Sequence, residues 1–183
     1  MGLLSSKEKL LSDKLEKLAV EYIYSNGEVE KRQNVLQILQ DNDCRELIGK
    51  CVDGDKFANA STYASYRNHV DLLQAFLEYG INVDVKDRNG FTALIYACGN
   101  GHKEIVRLLL NYNTNPDLRN KHGWTALMSA SYQGHKEIVQ LLLDHNADID
   151  LKNNNGKTAL DLARNQEIEE MIQNHVSTTY VLK

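Results

Sequence analysis

The apolar positions between residues 88 and 153 fall in blocks, not in one unbroken period. Ile105, Val106, Leu108, Leu109 and Leu110 form one block, and Ile138, Val139, Leu141, Leu142 and Leu143 repeat it 33 residues later. A shorter apolar face, Leu94 with Ala97 and Cys98, lies between Thr92 and Asn100-Gly101. The pattern predicts two short helices per unit. Thr92 is placed to cap the first, its hydroxyl accepting a backbone N–H. Gly101 ends that helix in the left-handed conformation. The second helix runs from about residue 102, and Asn89-Gly90 marks a turn before the pair.

The same step of 33 relates Gly90, Gly123 and Gly156, then Thr92, Thr125 and Thr158, then Leu94, Leu127 and Leu160, and also His69, His102 and His135. Residues 88–120 and 121–153 are identical at 18 of 33 positions. Neither helix of a unit can bury its apolar face alone. Stacking on a copy of itself buries both sides, so the expected fold is a solenoid stabilised between neighbours.

The segments Gly90-Phe-Thr-Ala-Leu, Gly101-His-Lys-Glu-Ile-Val, Gly123-Trp-Thr-Ala-Leu and Gly134-His-Lys-Glu-Ile-Val resemble the ankyrin repeat. Gly156-Lys-Thr-Ala-Leu-Asp-Leu-Ala resembles a last repeat of that family. The resemblance covers about two-thirds of the chain and implies an all-α solenoid of helix-turn-helix units joined by β-hairpin-like loops. The family usually carries Thr-Pro-Leu-His at the first helix. Here Ala93, Ala126 and Ala159 stand in place of the proline, and Ile95, Met128 and Asp161 in place of the histidine. Alanine is a good helix former, so the fold should survive with less rigid individual units.

Residues 54–87 read as a divergent first repeat: Leu72, Leu73 and Leu77 match the second-helix core, but Phe57 stands at the turn glycine and Ser61 at the core leucine. Residues 154–175 read as a C-terminal capping repeat three residues shorter between its helices, with Glu167-Ile168 matching Glu104-Ile105. Glu169 then falls where Val106 stood, which suits a face with no further neighbour. Residues 176–183 read as a short tail. Residues 1–53 read as an N-terminal helical extension or cap. Ser5 and Glu8 form a capping box, Leu10, Leu11, Leu15, Leu18, Tyr22 and Ile23 follow at helical spacing, and further helices are expected over 29–40 and from Asp43.

Composition narrows the function. Lys and Arg total 21 against 25 Asp and Glu, a formal charge of −4, which argues against coating nucleic acid. No run of about 18 apolar residues exists to span a membrane, and the start lacks the apolar core of a secretory signal. Cys44 and Cys51 lie seven apart on a predicted helix, roughly 10 Å along its axis and too far for a disulfide. With Cys98 they read as reduced thiols of a cytoplasmic or nuclear protein. No Gly-rich phosphate loop, Gly-x-Ser-x-Gly or His-Glu-x-x-His motif is present, so no enzyme, metal or cofactor is expected. His69, His102 and His135 read as structural, and His122, His145 and His175 as surface residues.

What varies between units is free to recognise something. The resemblance implies that such arrays bind proteins along their hairpin tips and concave, first-helix face. The tips supply Arg88, Asn89 and Phe91, then Lys121, His122 and Trp124, then Asn154, Asn155 and Lys157; the first-helix ends add Tyr66, Arg67, Asn100, Tyr132 and Gln133. Two readings of Phe91 and Trp124 stay open: binding anchors, or staples folded over the neighbouring hairpin. Lys86, Arg88, Arg119, Lys121, Lys152 and Lys157 recur along the hairpins beside Asp84, Asp87, Asp117, Asp148 and Asp150. If the cations face the groove, the partner is an acidic or phosphorylated protein segment; otherwise they form a solvated rim. The expected function is that of an adaptor or scaffold. Two alternatives stand beside it: a structural subunit docking through the N-terminal helices, or an adaptor tethered to membrane by acylation of Gly2, since Met1-Gly2-Leu3-Leu4-Ser5-Ser6 fits the myristoylation pattern. The sequence leaves the oligomeric state open.

Overall fold

The computed structural model describes residues 55–78 and 82–181, together with positions 17, 21, 30, 33, 34 and 37. Those six early positions are helical, and Lys17 pairs with Glu21 at 3.9 Å. The rest of the expected 1–53 extension, including Gly2, Cys44 and Cys51, lies outside the described residues.

Helical pairs recur along the described chain: α1 (Asp55–Tyr66) with α2 (Val70–Glu78), α3 (Ala93–Asn100) with α4 (Lys103–Asn111), and α5 (Ala126–Gln133) with α6 (Lys136–Asp144). A last helix, α7 (Gln166–Val181), closes the stack. No strand occurs among the described residues. First helices stack as one layer, α1 on α3 on α5, and second helices as another, α2 on α4 on α6 with α7 against α6. The fold is therefore the all-α repeat solenoid expected from the spacing.

The helix ends follow from the residues that bound them. Thr92 Oγ1 accepts the Ile95 N–H at 3.2 Å, and Thr125 Oγ1 accepts that of Met128 at 3.3 Å. Gly101 and Gly134 close the same helices at φ 78° and 86°, a region where an L side chain is strained. The core is the periodic set. Leu72, Leu73 and Phe76, then Ile105, Val106 and Leu109, then Val139 and Leu142, then Ile168, are completely buried. Burial is continuous because each unit covers its neighbour's apolar face.

The two end units depart from this pattern. With Phe57 where the turn glycine would stand, α1 forms 12 helical residues, against 8 in α3 and α5. In the closing unit Thr158 and Asp161 cap each other, Asp161 Oδ2 accepting from Thr158 N at 2.9 Å and Thr158 Oγ1 accepting from Asp161 N at 3.2 Å. They do not start an α-helix; residues 154–165 run as turns, bends and irregular chain up to α7. The spacing anticipates two helices there, and the unit forms one. The shortened link leaves the first half only enough chain to turn before α7. Ile168 is buried like Ile105, and Glu169 is exposed. Helix α7 continues past residue 175, the boundary drawn for the tail, to Val181.

Cys98 is fully buried, and burial pushes its thiol far above the usual range, so it is a packed side chain and not a reactive one. Ser131 stands at the same repeat position, equally buried, and its hydroxyl has no hydrogen-bond partner.

Candidate functional site

The concave surface is built from the hairpins upward. In each of three successive loops one short polar side chain organises the turn. Asp87 Oδ1 accepts the N–H groups of Asn89 and Phe91, both at 2.8 Å. Asn120 Oδ1 accepts those of His122 and Trp124 at 2.9 and 3.0 Å. Asn153 Oδ1 accepts those of Asn155 and Lys157 at 2.9 and 3.0 Å. The step of 33 relates these three residues as well. Sequence reasoning took the turn signal from the glycine pair and passed over them, although an Asx side chain bonding two residues ahead is itself a turn former.

Adjacent hairpins are then joined. Lys121 N–H donates to the Asn89 carbonyl and Asn154 N–H to that of His122, each at 3.1 Å. Lys86 Nζ donates to the Arg119 carbonyl at 2.8 Å, Arg119 Nη2 to that of Lys152 at 2.7 Å, and Asn154 Nδ2 to that of Lys121 at 2.9 Å. Lys86, Arg119 and Asn154 thus hold one hairpin to the next. The carboxylates of Asp84 and Asp117 accept the N–H groups of Asn115 and Asp148 in the following unit's loop. Burial raises the Asp84 pKa, and the bond from Asn115 pulls the other way. Much of the charge that sequence placed on a rim therefore belongs to the joints.

Between the first helices and the tips lies a cleft of about 320 Å³. Two aromatic groups line it. In one, Phe91 stacks on Tyr96 with centroids 4.8 Å apart, and Tyr66 meets Tyr96 edge-on at 5.7 Å. In the other, Trp124 meets Tyr132 edge-on at 5.4 Å. The ring partners of Phe91 and Trp124 lie in their own units, and both rings are partly buried against the core. Tyr66 and Tyr132 are 47% and 53% exposed, which is high for rings of this size. Asn100 and Gln133 add amides, and Ile95, Gly99 and Ser129 complete the lining.

Of the residues picked from sequence, the cleft brings together Tyr66, Phe91, Asn100, Trp124, Tyr132 and Gln133. Arg67, Arg88, Asn89, Lys121, His122, Asn155 and Lys157 are exposed outside it, and Asn154 is engaged in the hairpin joint. Gly2 lies outside the described residues. Sequence reasoning missed Tyr96. Its hydroxyl donates to Asp87 Oδ2 at 2.9 Å, and burial together with that carboxylate pushes its pKa up to about 12, so the phenol keeps its proton. The repeat offered no signal for it, since the matching residue of the next unit is Ser129.

His102 Nε2 donates to the Tyr66 carbonyl at 2.9 Å, and the His135 ring lies over Gly101, where an added Cβ would meet it at 2.7 Å. His102 thus bonds its unit to the one before, and the His135 ring packs against the one before its own. Among the described residues no group of three metal-ligating side chains converges, and no helix is long and apolar enough to cross a membrane.

A family model described as ankyrin repeats (3 copies) matches residues 28–120 and 110–175. No curated protein matches the chain.

Proposed function

Because this chain belongs to the ankyrin-repeat family, whose arrays are protein-interaction modules, we propose that it is an adaptor or scaffold that holds a partner protein against its concave and hairpin-tip surface. One observation carries the reading. Five aromatic side chains from three successive units converge on a single cleft, and two of them stay about half exposed. Exposed apolar patches mark interaction surfaces, and Tyr and Trp are enriched among the residues that carry binding energy. The hairpin ladder and the capped helices fix these rings before a partner arrives, which limits the ordering cost of association. Under this reading Tyr66, Phe91, Trp124 and Tyr132 supply apolar contact, and Asn100, Gln133, Arg88 and Lys121 supply the polar rim.

The test is affinity capture from source cells with the full chain and three variants. Tyr132→Ala and Trp124→Ala are each expected to cost about 2 kcal/mol of partner binding, with helical circular dichroism retained. Tyr112→Ala, at the end of α4 in the other helical layer and 44% exposed, is expected to leave capture unchanged. Equal capture by all three variants would contradict the reading. Tyr132 protects the comparison from unfolding, since its ring is more exposed than that of Trp124.

A further inference from the structure

The aromatic lining admits two opposite occupants, and the charge around it decides between them. Ring faces attract cations, so a lysine or arginine of the partner is one candidate. An apolar side chain filling the cleft is the other. A cationic guest would need carboxylates nearby, or at least a neutral rim. Helices α3 and α5, which supply most of the wall beside Tyr66 of α1, contain no charged residue, and none of the lining residues is charged. The three hairpin tips carry Arg88, Lys121 and Lys157 against a single acid, Asp87. The Asp87 carboxylate is already occupied, by the N–H groups of Asn89 and Phe91 at 2.8 Å and the Tyr96 hydroxyl at 2.9 Å. Arg88 lies close enough to Tyr96 to act on its titration. The acids Asp84 and Asp117 sit further along the loops, turned to the backbone that follows the second helices. The tips therefore carry more positive than negative charge, a balance that favours an acidic partner segment over a cationic one.

We propose that the cleft between the Phe91–Tyr96 and Trp124–Tyr132 ring pairs takes one large apolar side chain from an acidic segment of the partner, whose carboxylates lie along Arg88 and Lys121. The inference rests on the concave face being the partner surface, and adds the chemistry of what is held there. The apolar anchor displaces water from the rings, and Asn100 and Gln133 offer amide donors and acceptors to the segment's backbone. The carboxylates add attraction that weakens as salt screens it.

A random-peptide display library selected on the full-length chain tests this. Enriched peptides are expected to combine several Asp or Glu residues with one leucine, phenylalanine or tryptophan. A synthetic peptide of the enriched sequence should bind Tyr132→Ala about tenfold more weakly or worse, and bind Arg88→Glu and Lys121→Glu more weakly in low salt, with the gap closing in high salt. Circular dichroism on each variant confirms that the array remains folded. Enrichment of lysine- or arginine-rich peptides that still lose binding in Tyr132→Ala would overturn the charge assignment and leave the concave-surface reading standing. Enriched peptides that bind Tyr132→Ala as tightly as wild type would overturn both. A selection that enriches no peptide would overturn the assignment of an acidic, singly anchored segment.

Discussion

Truncating Leu127 to alanine is expected to lower the unfolding free energy by about 2–5 kcal/mol. The side chain is 1% exposed and lies at the centre of the described stack, on the helix that packs against both α3 and α6. Removing three carbons there leaves a cavity walled by two units, and the rigid helix pairs can close it only in part. A repeat array draws its stability from neighbour interfaces, so the loss is felt on both sides of the damaged unit. The counterpart Leu160 is only partly buried, and among the described residues no further helix pair stacks beyond it. Leu160→Ala should therefore cost clearly less. Urea unfolding followed by circular dichroism measures both; equal losses would show that stability does not follow neighbour burial.

A second pair of repeat-related variants isolates the hairpin ladder. Gly90→Ala is expected to cost about 2–4 kcal/mol, combining a strained backbone with a lost hydrogen bond. Gly90 has φ +81°, and a Cβ there would lie 2.8 Å from the Lys121 backbone nitrogen and 3.0 Å from Asn120 Cα. Those are backbone atoms and cannot swing away. The hairpins must part, and the bond from Lys121 N–H to the Asn89 carbonyl breaks with them. Gly156 has a similar φ of +74°, yet nothing lies within 4 Å of its would-be Cβ. Gly156→Ala should then show the backbone strain alone, on the order of 1–2 kcal/mol. The same urea titration compares them, and the difference reads the contact between hairpins. Identical costs would mean that the ladder adds nothing.

The sequence made the fold legible wherever a feature repeats. Thr92 and Thr125 as caps, Gly101 and Gly134 as stops, and the leucine blocks as core could be read from spacing because stacking imposes the same environment every 33 residues. Legibility failed where the environment changes at an end. The first half of the closing unit keeps Thr158, Ala159 and Leu160 but turns instead of forming a helix, because the shortened link alters what its second half can reach. The lining of the candidate cleft was legible through its rings, six of its residues being named from their positions on tips and helix ends. Tyr96 was not, since it has no counterpart to mark it and its place in the cleft follows from contact with Phe91 and Tyr66. The charges misled for a different reason. A lysine reads the same in a sequence whether it faces solvent or reaches to the next hairpin, and only the bonds of Lys86 and Arg119 separate the two.

The central claim is that a partner protein is gripped by the first-helix face and not by the opposite layer. A photo-crosslinking phenylalanine analogue placed at position 132, or in a separate protein at position 112, tests it most directly. Irradiation in source-cell extract should give a discrete protein adduct from position 132 and none from position 112. An adduct from position 112 with none from position 132 would contradict the account.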